Sequence, residues 1–454
     1  MTPVSFRVKK VYFFASVAAI GLIGWAVGYF GETNLPPLLP VVRALALGVI
    51  ANLFFSYALF VSDPKIRGEK FSCWLWLGAV GLFLAFMKPV FSGDLMEYLI
   101  RGRMLAVHHV SPYRFTPNDF PTDLLRPFSI WVNNPDSYGP LSVALQTLPV
   151  MVFPTSIQGM IWSYKVMILA FFGLSAFFFW RITRLAAPEE SGKLWAMFAF
   201  NPLLILMAFV DGHNDLIMMA FSVASLYFLL KKRPAPAFFL WTCGFLVKYM
   251  IFLQLPFMVL FALKNLWEEQ SPIPWLKLLG FGALNLFFIA ALFAPLWGGE
   301  GTFLAILRQK EAFYTNTVPY AAHIFLVLLR VPSDPQIVKG FFLISFGALT
   351  LYLFYRLARA AKANTSLEFF RSVSLVCISF YAALPSPMGA WYMVWAVFWI
   401  VLARWPKPLA LLLIFSAVGA LAFYKRPNFL AIGGAFLYLG WLLVEPRISR
   451  PCSK

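Results

Sequence analysis

Apolar runs long enough to cross a bilayer, about 20 residues each, follow one another along almost the whole chain, separated by short polar links. The pattern predicts spans near 11–30, 37–62 and 72–92, then 159–181, 194–210 and 216–230. The segment 235–263 is too long for one span and is interrupted at Lys248 and Pro256, so it reads as a short ascent and a descent turning near Lys248-Tyr249. Further spans follow near 276–297, 337–360, 371–385, 389–404, 408–423 and 428–444. The expected fold is an all-α polytopic membrane protein, a single domain over 1–454 with roughly 12–14 transmembrane helices.

Two polar intervals break the rhythm. The first, 93–158, includes an apolar piece at 141–157 that carries Pro149 and Pro154 and follows Pro140, which makes it a poor straight span. It reads as a re-entrant or interfacial helix inside one long outer loop. The second, 298–336, holds Glu311, Tyr314, His323 and Arg330, and its apolar piece 321–331 is too short to span. A loop as long as the first is more often a working part than a spacer.

Composition agrees with the pattern: of 454 residues 61% are hydrophobic and only 12% charged, against about a quarter charged in soluble domains. The net charge of +18 comes mostly from Lys and Arg in short links such as 63–70, 181–193 and 231–233, which places those links and both termini in the cytoplasm. Lys425-Arg426 is the one discordant pair. The surplus is therefore a topology signal, and nucleic acid is not an expected partner. Arg7, Lys9 and Lys10 precede the first apolar run with no small-residue cleavage site after it, so this run reads as an uncleaved span. Cys73, Cys243, Cys377 and Cys452 all fall outside the long loops, which gives no disulfide and no Cys-ligated metal site.

Asp94 sits where the third span gives way to the first outer loop, and Glu97 follows at i+3, with Arg101 four residues further on. Paired acids there can bind a cation or divide the roles of base and substrate orientation, or they can simply complement a helix dipole. Four cations, Arg43, Lys88, Lys165 and Lys248, lie toward the outer ends of their spans. One such residue is explained by snorkelling; four at one level read as a basic pocket for an anionic lipid head group. Asp211-Gly212-His213-Asn214-Asp215 forms a polar knot between two apolar spans at the level of Asp94, and Trp391-Tyr392 opens a later span. No GxGxxG, P-loop, HExxH or nucleophile elbow is present, and neither a cofactor nor a metal ligand set is assigned.

These motifs give a resemblance. The chain resembles the polytopic glycosyltransferases of the GT-C superfamily, and within it the bacterial polyprenol-phosphate-mannose-dependent α-mannosyltransferases. The pattern is carried by Asp94, Tyr98, Gly102-Arg103, Pro112-Tyr113, Tyr138-Gly139-Pro140, His213-Asn214-Asp215, Lys248 and Trp391-Tyr392. Glu97 stands where that pattern has a small polar residue.

The resemblance implies an inner-membrane enzyme with an outward-facing site. It implies inverting transfer of a sugar, with mannose expected, from a polyprenyl-phosphate donor to an envelope glycolipid or glycan. Asp94 would be the general base, and Lys248 with Arg101 or Arg103 would stabilise the departing phosphate. Glu97, Tyr98, Tyr113, Tyr138, His213, Asn214, Asp215, Trp391 and Tyr392 would line the substrate site. The competing class is a transporter or lipid flippase for envelope precursors, which would carry charges across the midplane and an internal repeat.

Overall fold

The computed structural model describes residues 5–30, 49, 52–63, 71–87, 89, 92–268, 275–309, 317–383 and 390–404. Among these there is no strand. Five stretches are long and apolar enough to cross a membrane: Ile157–Ala186, Tyr249–Leu266, Leu279–Leu296, Pro335–Arg359 and Lys362–Ala383. A bent pair, Pro188–Ala199 with Pro202–Asp211, makes a sixth. The chain is an all-α polytopic membrane protein. The expected spans 408–423 and 428–444, most of the link to the second span, Arg43, Lys88, Glu311, Tyr314 and Lys425-Arg426 lie outside the described residues.

Helix α1 (Phe6–Phe30) occupies the place of the first expected span, and α2 (Asn52–Val61) packs on it. Phe13 stacks on Phe60 at 5.4 Å, and Lys9 pairs with Asp63 at 2.9 Å. Phe200 meets both Phe13 and Phe60 edge-on. Next come α3 (Phe71–Ala85), α4 (Asp94–Ala106), α5 (Pro140–Val152) and the 30-residue α6 (Ile157–Ala186). Helix α6 begins at a Ser156 cap, whose hydroxyl accepts from the Gly159 N–H at 3.1 Å.

The expected straight span over 194–210 is broken. Helix α7 (Ser191–Ala199) stops at Phe200-Asn201, and α8 (Pro202–Ile205) restarts the chain at an angle of 45°. The cause is local: the Asn201 carboxamide accepts from the Leu203 N–H at 3.0 Å, and Pro202 supplies no N–H. The turn continues as a π-helical segment, Leu206–Asp211, and ends at Gly212 with φ +70°. That backbone conformation suits glycine, and a Cβ there would also lie 3.0 Å from Leu95 and 3.2 Å from Lys165. Wide helical turns of this kind are frequent at functional sites.

Helices α9 (Asp215–Leu230) and α10 (Pro234–Val247) have 16 and 14 residues and form a hairpin through Lys231–Arg233. At about 1.5 Å per residue they run for about 24 and 21 Å, so two nearly equal arms return the chain to its starting level. The Ser225 hydroxyl locks the arms by donating to the Ala237 carbonyl at 2.6 Å. Asp215 opens the first arm and Lys248 closes the second, and so they meet. The expected turn at Lys248-Tyr249 is present: Lys248 is extended, and a tight helical turn Tyr249–Gln254 leads into α11 (Leu255–Glu268).

Helix α12 (Trp275–Phe293) presents Leu279, Leu286 and Phe287 outward, an apolar face suited to lipid. Short helices α13 (Leu304–Gln309) and α14 (Val318–Leu328) occupy the second polar interval, and α14 is too short to cross. Then come α15 (Pro335–Arg359), α16 (Thr365–Ala383) and α17 (Val394–Leu402). The last two are largely buried, and α17 packs against α9 and α7.

Candidate active site

Two helix N-termini face the same space. Asp94 is the first residue of α4 and Asp215 the first residue of α9, where a carboxylate complements the helix dipole. Asp94 Oδ2 lies 3.7 Å from His213 Nδ1, and its side chain keeps 18% exposure. The Tyr98 hydroxyl is 3.4 Å from the same nitrogen. His213 is 1% exposed, stacks on Trp391 at 4.6 Å and 16°, and turns Nε2 toward Asp211 Oδ2 at 3.7 Å. Burial lifts the Asp94 carboxyl above its ordinary range, while His213 and then Lys248 draw it back down.

Beside this lies the buried pair. Lys248 Nζ donates to Asp215 Oδ1 at 2.7 Å, and the Trp395 indole N–H reaches the same oxygen at 2.5 Å. The ammonium also lies 5.4 Å from the Tyr138 ring centroid, 5.0 Å from that of Tyr392 and 5.5 Å from that of Trp395. Tyr98 meets Tyr138 edge-on at 5.4 Å and Tyr164 at 5.6 Å, which completes an aromatic wall. The Asn214 amide nitrogen is 3.4 Å from the Ser142 hydroxyl, and its Oδ1 has no hydrogen-bond partner.

The structure therefore brings together Asp94, Tyr98, Tyr138, His213, Asn214, Asp215, Lys248, Trp391 and Tyr392. Tyr113 stands one step back, donating its hydroxyl to the Tyr138 carbonyl at 2.7 Å. The other expected site residues serve the loop. Glu97 accepts from the Ser129 hydroxyl at 2.9 Å, the Ile130 N–H at 2.5 Å and the Trp131 N–H at 3.0 Å. Arg101 donates to the Trp131 carbonyl at 3.2 Å. Arg103 grips both oxygens of Asp123 at 3.0 and 2.9 Å and also donates to the Pro154 carbonyl. Burial works against Asp123, but hydrogen bonds from Leu125, His108 and Arg103 outweigh it and hold its carboxyl low. Asp136 is buried with one oxygen unpartnered, and burial pushes its carboxyl up to about 6.

Of the four cations expected to form a head-group pocket, Arg43 and Lys88 lie outside the described residues, and Lys165 departs from the expectation. Lys165 is fully buried and donates to the Leu84 carbonyl at 3.0 Å and the Met87 carbonyl at 2.6 Å, closing the end of α3. It neither snorkels nor faces a head group. Sequence reasoning missed Trp395, Tyr164 and Asp136. A tryptophan or tyrosine in an apolar helix carries no distinguishing signal, and Asp136 is one of several acids in a polar loop. Among the described residues no three of His, Cys, Asp and Glu are placed to hold a metal ion.

The chain is thus a helical membrane protein whose site sets carboxylates at helix ends and a lysine inside an aromatic wall. The chain belongs to the MptA/B family, alpha-(1->6)-mannopyranosyltransferase, whose N-terminal-domain model matches residues 19–264. Its activity is that of a glycosyltransferase. Neither the curated proteins nor the solved structures contain a match to it.

Proposed function

We propose that the chain transfers mannose from a polyprenyl-phosphate donor to a hydroxyl of an envelope glycolipid or glycan. Transfer takes place with inversion, on the outward side of the bacterial inner membrane. The observation that carries this reading is the position of Asp94: a partly exposed carboxylate at a helix N-terminus, 3.7 Å from His213, beside the buried Lys248. Asp94 takes the proton of the acceptor hydroxyl as that oxygen forms its bond to the anomeric carbon. The bond from that carbon to the phosphate oxygen breaks, and polyprenyl phosphate leaves with the electron pair. Lys248 stabilises the departing charge: Asp215 takes one of its three N–H donors, which leaves others for a phosphate oxygen. The partly exposed rings of Tyr138, Trp391 and Tyr392 offer faces to a sugar, with the buried Tyr98 behind them. The membrane confines the donor chain and orients its head group.

The test is transfer of labelled mannose from polyprenyl-phosphate mannose by purified protein in membranes. The wild type is expected to give a mannosylated product, and Asp94→Asn to lower turnover roughly 100-fold or more with donor binding retained. Near wild-type turnover in Asp94→Asn removes the base assignment. No transfer by the wild type removes the donor.

A further inference from the structure

The family match ends at residue 264, yet the site does not. The turn before α17 and its first residues complete it from the C-terminal part of the chain. Trp391 covers His213, while Tyr392 and Trp395 cover Lys248. Trp395 stands out among these. It is 3% exposed, and its N–H, the sole donor an indole has, goes to a carboxylate oxygen that already receives Lys248.

That sharing has a geometric consequence. Asp215 Oδ1 holds two donors, and Oδ2 is buried with no hydrogen-bond partner. A carboxylate facing a lone ammonium can turn both oxygens toward it and draw the cation in. The indole N–H comes from α17, a different helix, and pins Oδ1 in place, so the carboxylate is not free to rotate. Lys248 then shares one hydrogen bond with the carboxylate, at 2.7 Å, with its charge only partly neutralised.

We infer that Trp395 is a positioning residue, whose indole N–H fixes Asp215 against Lys248 and sets the direction in which the ammonium meets a leaving phosphate. This rests on the donor reading above. Any buried indole N–H needs an acceptor; what marks Trp395 is that its acceptor is the carboxylate oxygen that also holds Lys248.

The test is a double-mutant cycle in Trp395→Phe, Asp215→Asn and the pair, together with the indole N–H resonance of Trp395 in detergent. Phe keeps a ring over Lys248 and removes the donor, and it also leaves the space that the second indole ring fills, which the cycle subtracts. Trp395→Phe is expected to lower turnover roughly 10- to 100-fold, the scale of one hydrogen bond to a charged group, with the donor KM little changed. In the Asp215→Asn background, where the acceptor is neutral, the same change should cost clearly less. Trp395→His, which returns an N–H, should recover part of the turnover, and it carries the test if the Phe variant fails to fold. Fully additive losses would mean packing alone and overturn the inference. If the wild type transfers no mannose from this donor, the donor reading falls and the resonance decides: it should move upfield in Asp215→Asn, and an unmoved signal overturns the role assigned to Trp395.

Discussion

Asp94 and His213 are 119 residues apart in number (213 − 94), yet the start of α4 and the π-helical turn before α9 set their side chains 3.7 Å apart. His213 is the largest influence opposing the burial that lifts the Asp94 carboxyl. A base works only when ionised, so activity falls as pH drops through its pKa. Removing His213 should raise that pKa further. His213→Phe keeps a ring on Trp391 and removes the nitrogens, so the acid limb of the kcat/KM profile is expected to move to higher pH, with activity partly regained at alkaline pH. A limb that stays in place in this variant means that His213 does not govern the ionisation of Asp94.

Gly102 illustrates a second kind of constraint. A Cβ on it would lie 2.2 Å from the Gln146 carbonyl oxygen, so α4 and α5 cross there at backbone contact. Gly102→Ala must push the helices apart, at a cost of about 1–3 kcal/mol or more. The thermal midpoint should fall, and turnover should fall with it because α4 carries Asp94. An unchanged midpoint would show that the two helices separate without cost.

Much of this was legible in the sequence, and for a simple reason. Ionisable residues among apolar runs stand out, which is why Asp94, His213, Asp215 and Lys248 are recognisable from the sequence alone. Their pairings are not. That Lys248 meets Asp215 depends on two helical arms of 16 and 14 residues being nearly equal, and a residue pattern does not fix hairpin lengths to that accuracy. From sequence Arg103 reads as a candidate phosphate ligand, because its partner Asp123 lies in irregular chain, where no periodicity announces a contact. The break at Asn201-Pro202 is written in two residues, and a hydropathy average over a whole span does not register it. Trp395 is one tryptophan in the run VWAVFWIVL, and only its acceptor distinguishes it.

The side of the membrane on which the site opens can be tested with single cysteines. Positions 118, 188 and 306 all have exposed side chains, so labelling there reports the side and not burial. Asn118→Cys and Ile306→Cys should react in intact cells with a membrane-impermeant thiol reagent, and Pro188→Cys should react only after lysis. Labelling at 188 in intact cells would mean that 141–157 crosses the membrane and that the site faces the other way.

Lys248 gives the sharpest separation between an electrostatic role in transfer and a merely structural one. A snorkelling lysine would tolerate methionine, since its head group would already be in water. Here the side chain is buried against a carboxylate with no exposure of its own, so Lys248→Met strands the Asp215 charge at a cost of about 3–5 kcal/mol. Lost activity in that variant alone would therefore be ambiguous. Adding Asp215→Asn removes the stranded charge and should restore most of the thermal midpoint. If Lys248 stabilises the leaving phosphate, the repaired double variant remains slow, because the cation that met the developing charge is still missing. Lys248→Arg should keep the pair but recover only part of the turnover, since a planar fork on a longer stem does not fit a site shaped around a point charge between three rings. Midpoint and turnover of the three variants, measured in one detergent, settle the matter: a double variant that regains turnover together with stability would reduce Lys248 to a structural counter-ion.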